Sequence, residues 1–586
     1  MRAAQEKHFV THDDTSLFYR YWPRIDGAKA ERALVLFHRG HEHSGRLQHV
    51  VDELGFADYA YFAWDARGHG RSPGARGDSP SFAASVKDVD SFIRHISASY
   101  GIAMENILVI AQSVGAVLTT TWAHDYAPRI RGMVVTSPAF KVKLYVPLAR
   151  PALALRYKLR GNFFISSYVK AKFLTHDPER IRSYESDPLI TRDISARILL
   201  GLYAAGERVV ADAQAIHLPM QVLVSDTDWV VHRGPQEIFF QNLGSNIKEH
   251  HVLPGFFHDT LGELERKLAF DLMRPFITRL FATDFASLVP QQDLLQSHRA
   301  GHTRDEEMRL SAPLSLLSAK NVQFTLTRLS MRTLGRLSQG IRLGLATGFD
   351  SGSTLDYVYC DQPRGTSFLG RMIDRGYLDA VGWRGIRVRK QHLQIAIARA
   401  AKALTDAGQP LRILDIAAGH GRYVLDAVAT LPTRPTSIVL RDYSETNVQA
   451  GRALIAARGL ADIARFDAGD AFDAESLTAI TPAPNLALVS GLYELFSDND
   501  AVQRSLSGLG KVLQSGSYLI YTGQPWHPQL EMIARTLTSH RGHQSWVMRR
   551  RTQAELDALV SAAGFEKLEQ WTDQWGIFTV TLAVRK

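Results

Sequence analysis

The feature that most constrains the fold is a buried strand that turns into a helix at a serine. Residues 107–112 read Ile-Leu-Val-Ile-Ala-Gln, Ser113 follows, and residues 114–122 favour a helix. Such an apolar run ending in small residues and a serine predicts a strand, a sharp turn and a helix, with the Ser113 hydroxyl lifted out of a sheet. A serine nucleophile needs an imidazole base, an orienting carboxylate and donors for an oxyanion.

The residues around Ser113 depart in one place from the usual Gly-x-Ser-x-Gly pattern. Ala111 replaces the first glycine and adds a methyl group where the helix comes close to the strand. Taken alone, the pentapeptide fits either a nucleophile turn or an ordinary strand-to-helix connection. The choice between these two interpretations therefore depends on the neighbouring segments.

Bulk properties restrict the class of protein. A chain of 586 residues is too long for one core and predicts two domains of about 250 to 300 residues each. The net charge of +9 is modest for this length, so we expect no nucleic-acid partner, while contact with an anionic membrane stays open. A single cysteine, Cys360, excludes an intrachain disulfide. With no signal-peptide pattern and no apolar run of about 18 residues, we expect a cytoplasmic protein.

A glycine-containing loop follows the predicted strand at residues 32–38. Its sequence, residues 39–46, is Arg-Gly-His-Glu-His-Ser-Gly-Arg. The histidines and glutamate admit a metal site, but they lack the spacing of a known ligand set, and we expect no metal. The alternative is an oxyanion loop, in which the backbone N–H groups of Gly40 and Val114 stabilise the developing charge.

A carboxylate and a histidine follow late in the same half. The predicted strand at residues 220–225 leads into Asp226 and Asp228, and His258 lies in a loop after the next strand. Serine, aspartate and histidine thus occur in the chain order found in serine hydrolases of α/β fold. Spacing alone does not decide whether Asp226 or Asp228 is the carboxylate that orients the histidine.

These segments carry a resemblance to a known family. The loop at residues 38–46, the Asp-Ala-Arg-Gly-His-Gly-Arg-Ser loop at residues 65–72 and the Ser113 turn resemble α/β-hydrolases of the monoacylglycerol-lipase and serine-aminopeptidase type. The resemblance spans about residues 8–280. It implies a catalytic triad of Ser113, Asp228 and His258, with Asp226 as a turn residue, and a helical cap at about residues 140–212.

Two features of this half stay open. Arg39 stands where the family has a glycine; it either narrows the pocket, recognises an anionic substrate group or lies on the surface. The cap segment at residues 144–165 mixes apolar side chains with Arg150, Arg156, Lys158 and Arg160. This composition suits contact with anionic lipid, and it also suits a cap that packs its apolar face on the sheet.

The second half begins after a weakly patterned stretch. Residues 283–345 predict a linker with helical content between a domain at residues 1–282 and a domain at residues 346–586. A long amphipathic helix is expected from about 388 to 407. The strand at residues 411–415 then leads into Gly419-His420-Gly421, which opens another helix. A strand followed by Gly-x-Gly lets the backbone approach a nucleotide-like ligand.

Acidic residues at successive strand ends support a nucleotide-like ligand. Asp442 ends the second strand about 23 residues after the glycine loop, where a ribose diol would need an acceptor. The pattern resembles class I S-adenosylmethionine-dependent methyltransferases, whose cofactor would contact Asp415, Gly419, Gly421, Asp442 and Asp470. The alternative, a nicotinamide-dependent oxidoreductase, normally has a third glycine, and Tyr423 stands at the helix start instead.

The methyl acceptor is less well defined. The fourth strand lacks the Asp/Asn-Pro-Pro-Tyr motif of amino-methylating members, so the acceptor atom is unassigned. Tyr493, Trp526 and His527 lie at strand ends that would face the acceptor, with His527 as a proton acceptor or as part of a structural turn.

We therefore expect an α/β protein with two domains: a capped α/β-hydrolase fold and a Rossmann-like methyltransferase fold. The chain resembles bacterial fusions of these domains. The leading hypothesis is a bifunctional enzyme that cleaves a carboxylic ester of a lysophospholipid or monoacylglycerol and transfers a methyl group from S-adenosylmethionine. The alternatives are a peptidase, or a catalytically silent binding module in one half. The oligomeric state is not predicted.

Overall fold

The computed structural model describes residues 2–167 and 169–586. The chain divides into two compact units, one ending at Gln291 and the other beginning at Gln292. Each unit has its own sheet and its own apolar core. Within the described residues, no helix combines the length and the apolar character that crossing a membrane requires.

The first unit is built around a mostly parallel sheet. In the described residues its strand order is β1-β2-β4-β3-β5-β6-β9-β10; β2 pairs antiparallel with both β1 and β4, and the other pairs are parallel. The strands are β1 (Gln5–Val10), β2 (Ser16–Trp22), β3 (Ala33–Phe37), β4 (Ala60–Trp64), β5 (Ile107–Gln112), β6 (Gly132–Thr136), β7 (Phe164–Ser166), β8 (Asp193–Ser195), β9 (Met220–Ser225) and β10 (Lys248–Leu253). The central strands are continuous apolar runs because both faces of a parallel sheet are covered.

Helices cover both faces of this sheet. They are α1 (Gln48–Leu54), α2 (Phe82–Tyr100), α3 (Val114–Tyr126), α4 (Ala149–Arg160), α5 (Pro178–Ser186), α6 (Ala196–Ala211), α7 (Gly234–Asn242), α8 (Lys267–Ala282) and α9 (Phe285–Leu288). Side chains of β3 alternate between the two resulting cores. Val35 and Phe37 pack with α2 and α3, whereas Leu34 and Leu36 pack with α1 and α8.

The segment between β6 and β9 includes residues 140–212, where a cap is predicted. It contains α4, α5, α6 and the short antiparallel pair β7 and β8. Helix α6 buries Leu199, Leu202 and Val209, and it contacts α2 and α3. Helix α4 has no buried residue. Within residues 144–165, for which both interpretations were open, α4 buries no apolar face, and the packing on the body of the unit is made by α6, which lies outside this segment.

The second unit has a sheet of order β13-β12-β11-β14-β15-β17-β16 within the described residues. Its strands are β11 (Arg412–Asp415), β12 (Ser437–Asp442), β13 (Ala464–Ala468), β14 (Leu486–Val489), β15 (Tyr518–Gly523), β16 (Phe565–Thr572) and β17 (Thr579–Arg585). All pairs are parallel except those made by β17. The strand order reverses between β11 and β14, and such switch points place ligands at the carboxyl ends of the strands. The predicted α/β class is confirmed in both units.

The helices of the second unit enclose this sheet. They are α10 (Gln291–Leu295), α11 (His302–Ser311), α12 (Ala319–Arg332), α13 (Gln339–Thr347), α14 (Gly352–Cys360), α15 (Phe368–Leu378), α16 (Val381–Asp406), α17 (Arg422–Val428), α18 (Glu445–Ala457), α19 (Ala474–Thr478), α20 (Asn499–Val512), α21 (Leu530–Thr536) and α22 (Gln553–Ala562). Helix α16 begins seven residues before the predicted start at residue 388, because its first turns bury Trp383 and Ile386 in a separate apolar cluster.

The stretch predicted as a linker differs from that expectation. Residues 292–345 belong to the second unit, where they form α10, α11, α12 and most of α13. The buried Thr303 accepts a hydrogen bond from Arg549 Nη1 at 2.9 Å, and Glu307 pairs with Ser497. Because these contacts are polar and join residues far apart in the sequence, no local motif indicates that the segment belongs to the second unit.

Candidate active sites

Ser113 lies on a strained turn between β5 and α3. Its backbone has φ +55° and ψ −115°, a conformation that non-glycine residues rarely adopt. The close approach of helix and sheet falls at Gly115, where a Cβ would lie 2.5 Å from the His38 carbonyl oxygen. Ala111 instead lies within β5 and pairs with Phe37 and Val135, so its methyl group is accommodated in the core.

The structure brings Ser113, His258 and Asp228 together in one hydrogen-bonded chain. His258 Nε2 lies 2.7 Å from Ser113 Oγ, and His258 Nδ1 lies 2.7 Å from Asp228 Oδ2. The other carboxylate oxygen of Asp228 accepts hydrogen bonds from the Val230 and Val231 amides. This geometry lets His258 accept the serine proton while the carboxylate fixes the imidazole tautomer.

The competing aspartate has a different place. Asp226 is exposed and pairs with Arg233 at 2.8 Å. Burial by itself would raise the pKa of Asp228, but the charge and hydrogen bond of His258 and the two amides outweigh it and lower that pKa. The buried carboxyl is therefore held in the ionised form that an imidazolium requires.

The two predicted oxyanion donors lie side by side. A Cβ on Gly40 would be 3.1 Å from Val114 Cγ2, and both residues border a cavity of about 40 Å³. Within the described part of the chain, neither backbone N–H has a hydrogen-bond acceptor. Phe82, Leu118 and Ile198 give this cavity an apolar lining, and Asp78 adds a carboxylate whose Oδ1 is buried without a partner among the described residues.

Arg39 is not on the surface. Its guanidinium is buried, donates to Glu42 Oε1 at 2.7 Å and lies over the Tyr184 ring. Glu42 also accepts from Arg46 Nε at 2.7 Å, and Arg39 lies 3.6 Å from Asp259. Glu42 and Asp259 hold the Arg39 guanidinium in an ion network. The long side chain that stands in place of the family's glycine therefore does not enter the triad.

Asp259 is a site residue that sequence reasoning missed. It directly follows His258, and its carboxylate accepts from Gln112, which directly precedes Ser113, at 3.1 Å. Arg180 of cap helix α5 donates to it at 2.9 Å. Asp259 thus connects helix α5 to the residues that adjoin Ser113 and His258. The position of Asp259 directly after His258 could have indicated a site residue. Its hydrogen-bond partners, however, come from segments that are distant in the sequence.

In the second unit, the glycine loop joins β11 to α17. Gly421 has φ +74°, and a Cβ there would lie 2.5 Å from Leu440 Cδ1, so a side chain is excluded. The Gly419 N–H donates to Asp442 Oδ2 at 3.0 Å. The loop therefore exposes backbone to a large cavity while the end of the neighbouring strand holds its shape.

The predicted acids divide into two groups by position. Asp442 and Asp470 line this cavity; Asp442 is buried and also accepts from the Ser444 amide and Asn447. Asp470 is exposed and accepts from the Phe472 amide at 2.9 Å. Asp415 does not line the cavity. It is fully buried behind the loop, where it binds the Tyr423 hydroxyl and the Ala417 amide. The expected cofactor contact of Asp415 is therefore corrected to support of the loop.

The cavity at the carboxyl ends of the strands has a volume of about 770 Å³. Its size, the backbone that Gly419 and Gly421 expose and a buried acceptor at Asp442 fit the dimensions and polar groups of S-adenosylmethionine. Residues from α13, α14 and the segment before α22 also line it, and sequence reasoning missed them: Thr347, Asp350, Ser353, Asp356, Tyr359, His540, Arg541 and His543. They come from regions without a recognisable motif.

The residues predicted at the methyl-acceptor site do not lie together. His527 lines a smaller cavity of about 80 Å³ that shares several wall residues with the large one. Tyr493 is buried in the core and bonds Ser505, and Trp526 lies under the Arg550 guanidinium; neither lines either cavity. Both predictions are corrected. Tyr493 begins a short helical turn, Tyr493–Leu495, with its ring in the apolar core, and the next residue, Glu494, lines the cavity instead.

The fold and geometry define the class: a capped α/β-hydrolase joined to a unit with the strand order of class I methyltransferases. A family model described as "Putative methyltransferase" matches residues 273–585, and one described as "Serine aminopeptidase, S33" matches residues 28–265. The chain belongs to the first of these families and carries an α/β-hydrolase domain of the second type.

Similarity to individual proteins follows the same division. The uncharacterized protein YnbC of Escherichia coli (strain K12) is 56% identical over 585 residues, covering 100% of this chain and 99% of that protein. A monoacylglycerol lipase of Mycolicibacterium smegmatis is 27% identical over 41% of this chain and 85% of its own length. The structure of a soluble variant of monoglyceride lipase from Saccharomyces cerevisiae has a TM-score of 0.42 at 20% identity, covering 48% of this chain and 96% of that one.

Proposed function

We propose that the first unit is a serine hydrolase that cleaves carboxylic esters. The observation that carries this proposal is the continuous hydrogen-bonded chain from Ser113 through His258 to Asp228. Ser113 Oγ attacks the ester carbonyl while His258 takes its proton, and the amides of Gly40 and Val114 stabilise the oxyanion. A fluorophosphonate probe should label the protein at Ser113, and labelling that persists in Ser113→Ala would contradict the assignment.

The substrate class we propose is a monoacylglycerol or lysophospholipid. The apolar cavity walls beside the oxyanion donors suit an acyl chain, and the free oxygen of Asp78 suits a hydroxyl of the head group. The same oxygen would also accept a substrate amine, which keeps the peptidase as the second candidate. Rates on monoacylglycerol and on aminoacyl amides, measured with the same preparation, distinguish them.

We also propose that cap helix α4 contacts an anionic membrane. Leu155 and Leu159 are 59% and 73% exposed, and Arg156, Lys158 and Arg160 alternate with them. Exposed leucines among cations favour the interface of an anionic bilayer. Vesicles containing phosphatidylglycerol should bind the protein better than neutral vesicles, and Leu159→Asp should reduce this binding. The cytoplasmic location stays a prediction.

For the second unit we propose an S-adenosylmethionine-dependent methyltransferase. The bound cofactor would supply an electrophilic methyl group. The loop at Gly419 and Gly421 would hold its amino-acid part, and Asp442 would accept from the ribose hydroxyls. Calorimetry should show binding of S-adenosylmethionine. Tight binding of a nicotinamide dinucleotide instead would overturn this choice.

Neither unit carries the features of a silent binding module in its core. The two departures from the hydrolase motif, Ala111 and Arg39, are both accommodated without displacing the triad. Bifunctional catalysis is therefore the function that the geometry supports best.

A further inference from the structure

A second cavity in the methyltransferase-like unit is apolar and adjoins the large one. It shares five wall residues with the proposed cofactor cavity: Asp350, Leu355, Arg389, Gly491 and Leu495. Trp383, Ile386, Met532, Trp546 and Phe578 supply most of its wall. Its volume of about 80 Å³ is several times the space that one water needs, so a group of several heavy atoms fits. The lining suits an aromatic or alicyclic ring.

Two buried polar atoms at the junction of the cavities lack partners among the described residues. Arg389 is 2% exposed and its Nε–H is unpaired; Glu494 is 8% exposed and its Oε2 is unpaired. Their other atoms meet each other, with Arg389 Nη1 3.3 Å from Glu494 Oε1. Leaving a buried donor and a buried acceptor unsatisfied costs free energy, so their persistence side by side indicates a ligand group that completes them.

We propose that the smaller cavity binds the methyl acceptor, that this acceptor is a small apolar ring bearing a phenolic or enolic hydroxyl, and that Glu494 is its general base. A hydroxyl can donate to Glu494 Oε2 and accept from Arg389 Nε–H at once, which satisfies both atoms. A ligand carboxylate would instead place a second negative charge against Glu494. This proposal rests on the cofactor assignment made above.

The reaction balances without a further reagent. The acceptor oxygen forms a bond to the methyl carbon as the carbon–sulfur bond breaks, and the electron pair of that bond stays on sulfur to give a neutral thioether. The hydroxyl proton passes to Glu494 Oε2. A phenol or enol is acidic enough for a carboxylate to assist its ionisation, whereas an aliphatic alcohol is a much weaker acid.

His527 does not compete for the role of base. Its Nδ1 accepts a hydrogen bond from the Gln529 amide at 3.0 Å, so the neutral ring carries its proton on Nε2 and donates. Burial lowers the pKa of His527 to about 4 and keeps the ring neutral. Burial also raises the pKa of Glu494, against the opposing charge of Arg389, which favours proton uptake.

The test uses the full chain and 2-naphthol as the probe, with naphthalene as the ring that lacks the hydroxyl. Binding is followed by probe fluorescence in wild type, in Glu494→Gln and in the control Glu531→Gln. Glu531 lies on α21 beside cavity residues but pairs outward with Lys320. We expect wild type and Glu531→Gln to bind 2-naphthol at least tenfold more tightly than naphthalene. Glu494→Gln should lose most of this preference, and methyl transfer to 2-naphthol should fall on the order of 10²-fold.

Each further outcome decides one assignment. Equal binding of both probes by wild type, or an unchanged preference in Glu494→Gln, would overturn the acceptor proposal. If wild type binds S-adenosylmethionine but not 2-naphthol, the acceptor class is wrong and the cofactor stands. If it binds 2-naphthol but not S-adenosylmethionine, the cofactor assignment fails instead. Calorimetry with S-adenosylmethionine checks that Glu494→Gln remains folded, and Glu494→Asp, which keeps a carboxylate, should recover part of the preference.

Discussion

The two candidate sites differ in how completely the chain satisfies its own polar groups. In the triad, every side-chain polar atom of Ser113, His258 and Asp228 has a partner in the described structure. At the second site, Arg389 Nε and Glu494 Oε2 are buried without partners in the part of the chain that the structure describes. The triad is complete within the described residues, whereas the second site, as we propose, is completed by its ligands.

The two proposed sites should therefore respond differently to single substitutions. A self-contained triad fixes reacting atoms within one short hydrogen-bonded chain, so single substitutions there should remove activity altogether. A site completed by ligands spreads its function over many wall residues, so single substitutions should shift affinity by graded amounts.

The largest effect is expected in the triad. Ser113→Ala and His258→Ala should each lower ester hydrolysis by a factor on the order of 10⁴ or more, and the double variant should lose little further, because the residues act as a unit. Kinetics on a monoacylglycerol substrate measure both steps. Asp226→Ala, at the exposed neighbour of the triad aspartate, is the control and should keep wild-type activity. Independent, additive losses of activity would show that Ser113 and His258 do not act as a unit and would contradict this prediction.

The position of the domain boundary gives the next effect. A fragment of residues 292–586 keeps the buried Thr303 and Glu307 with their partners, whereas one of residues 346–586 loses α11 and α12 and leaves the buried Arg549 without its Thr303 contact. We expect the longer fragment to bind S-adenosylmethionine and the shorter one to be destabilised by several kcal/mol, on the order of 5, or insoluble. Calorimetry and urea unfolding of both fragments decide. A stable shorter fragment would restore the linker interpretation.

The sequence predicted much more of the first site than of the second. Ser113, Asp228 and His258 each follow a buried strand, and their chemistry demands fixed residue types, so the pattern is visible in one chain. Asp259 and Arg180 were not predicted, because their contact depends on how cap helix α5 packs. No local sequence pattern indicates that packing.

In the second unit the sequence indicated the glycine loop and Asp442, which line the large cavity, whereas Asp415, Tyr493 and Trp526 were also predicted as site residues and line neither cavity. Which face of a turn a residue takes depends on tertiary packing: Tyr493 enters the core, and its neighbour Glu494 enters the cavity. Arg389 lies within a long helix whose amphipathic pattern gives no reason to single out one arginine.

Graded effects are expected at the cofactor acids. Asp442→Ala removes a buried acceptor and should weaken S-adenosylmethionine binding by about ten- to a hundredfold, equivalent to about 1.5 to 3 kcal/mol. Asp470→Ala should cost less than about threefold because its carboxylate is exposed and water replaces it. Asp467→Ala, whose side chain pairs with Arg465 outside the cavity, is the control. Equal losses at Asp442 and Asp470 would contradict the distinction between buried and exposed acceptors.

The smallest effect concerns stability at Asp415, behind the glycine loop. Burial raises the pKa of Asp415 to about 7, although the Tyr423 hydroxyl and the Ala417 amide oppose the rise. An unfolded aspartate has a pKa of about 3.9, so between these values the native state binds the extra proton and the free energy of unfolding falls as pH rises, by about 1.4 kcal/mol per unit. From pH 5 to pH 7 the loss should be about 2 to 3 kcal/mol, with no further loss above the native pKa.

Asp415→Asn cannot ionise and keeps an oxygen that accepts from Tyr423, so it should remove this slope. Thermal unfolding of the full chain measures it, since the transition that shifts on addition of S-adenosylmethionine reports the second unit. The matched control is Asp467→Asn, an exchange outside the cavity, which should keep the wild-type slope. A wild-type slope in Asp415→Asn would show that the loop is supported by an ionised carboxylate. The second site would then contain a preformed charge, and its contrast with the triad would narrow to the junction of Arg389 and Glu494.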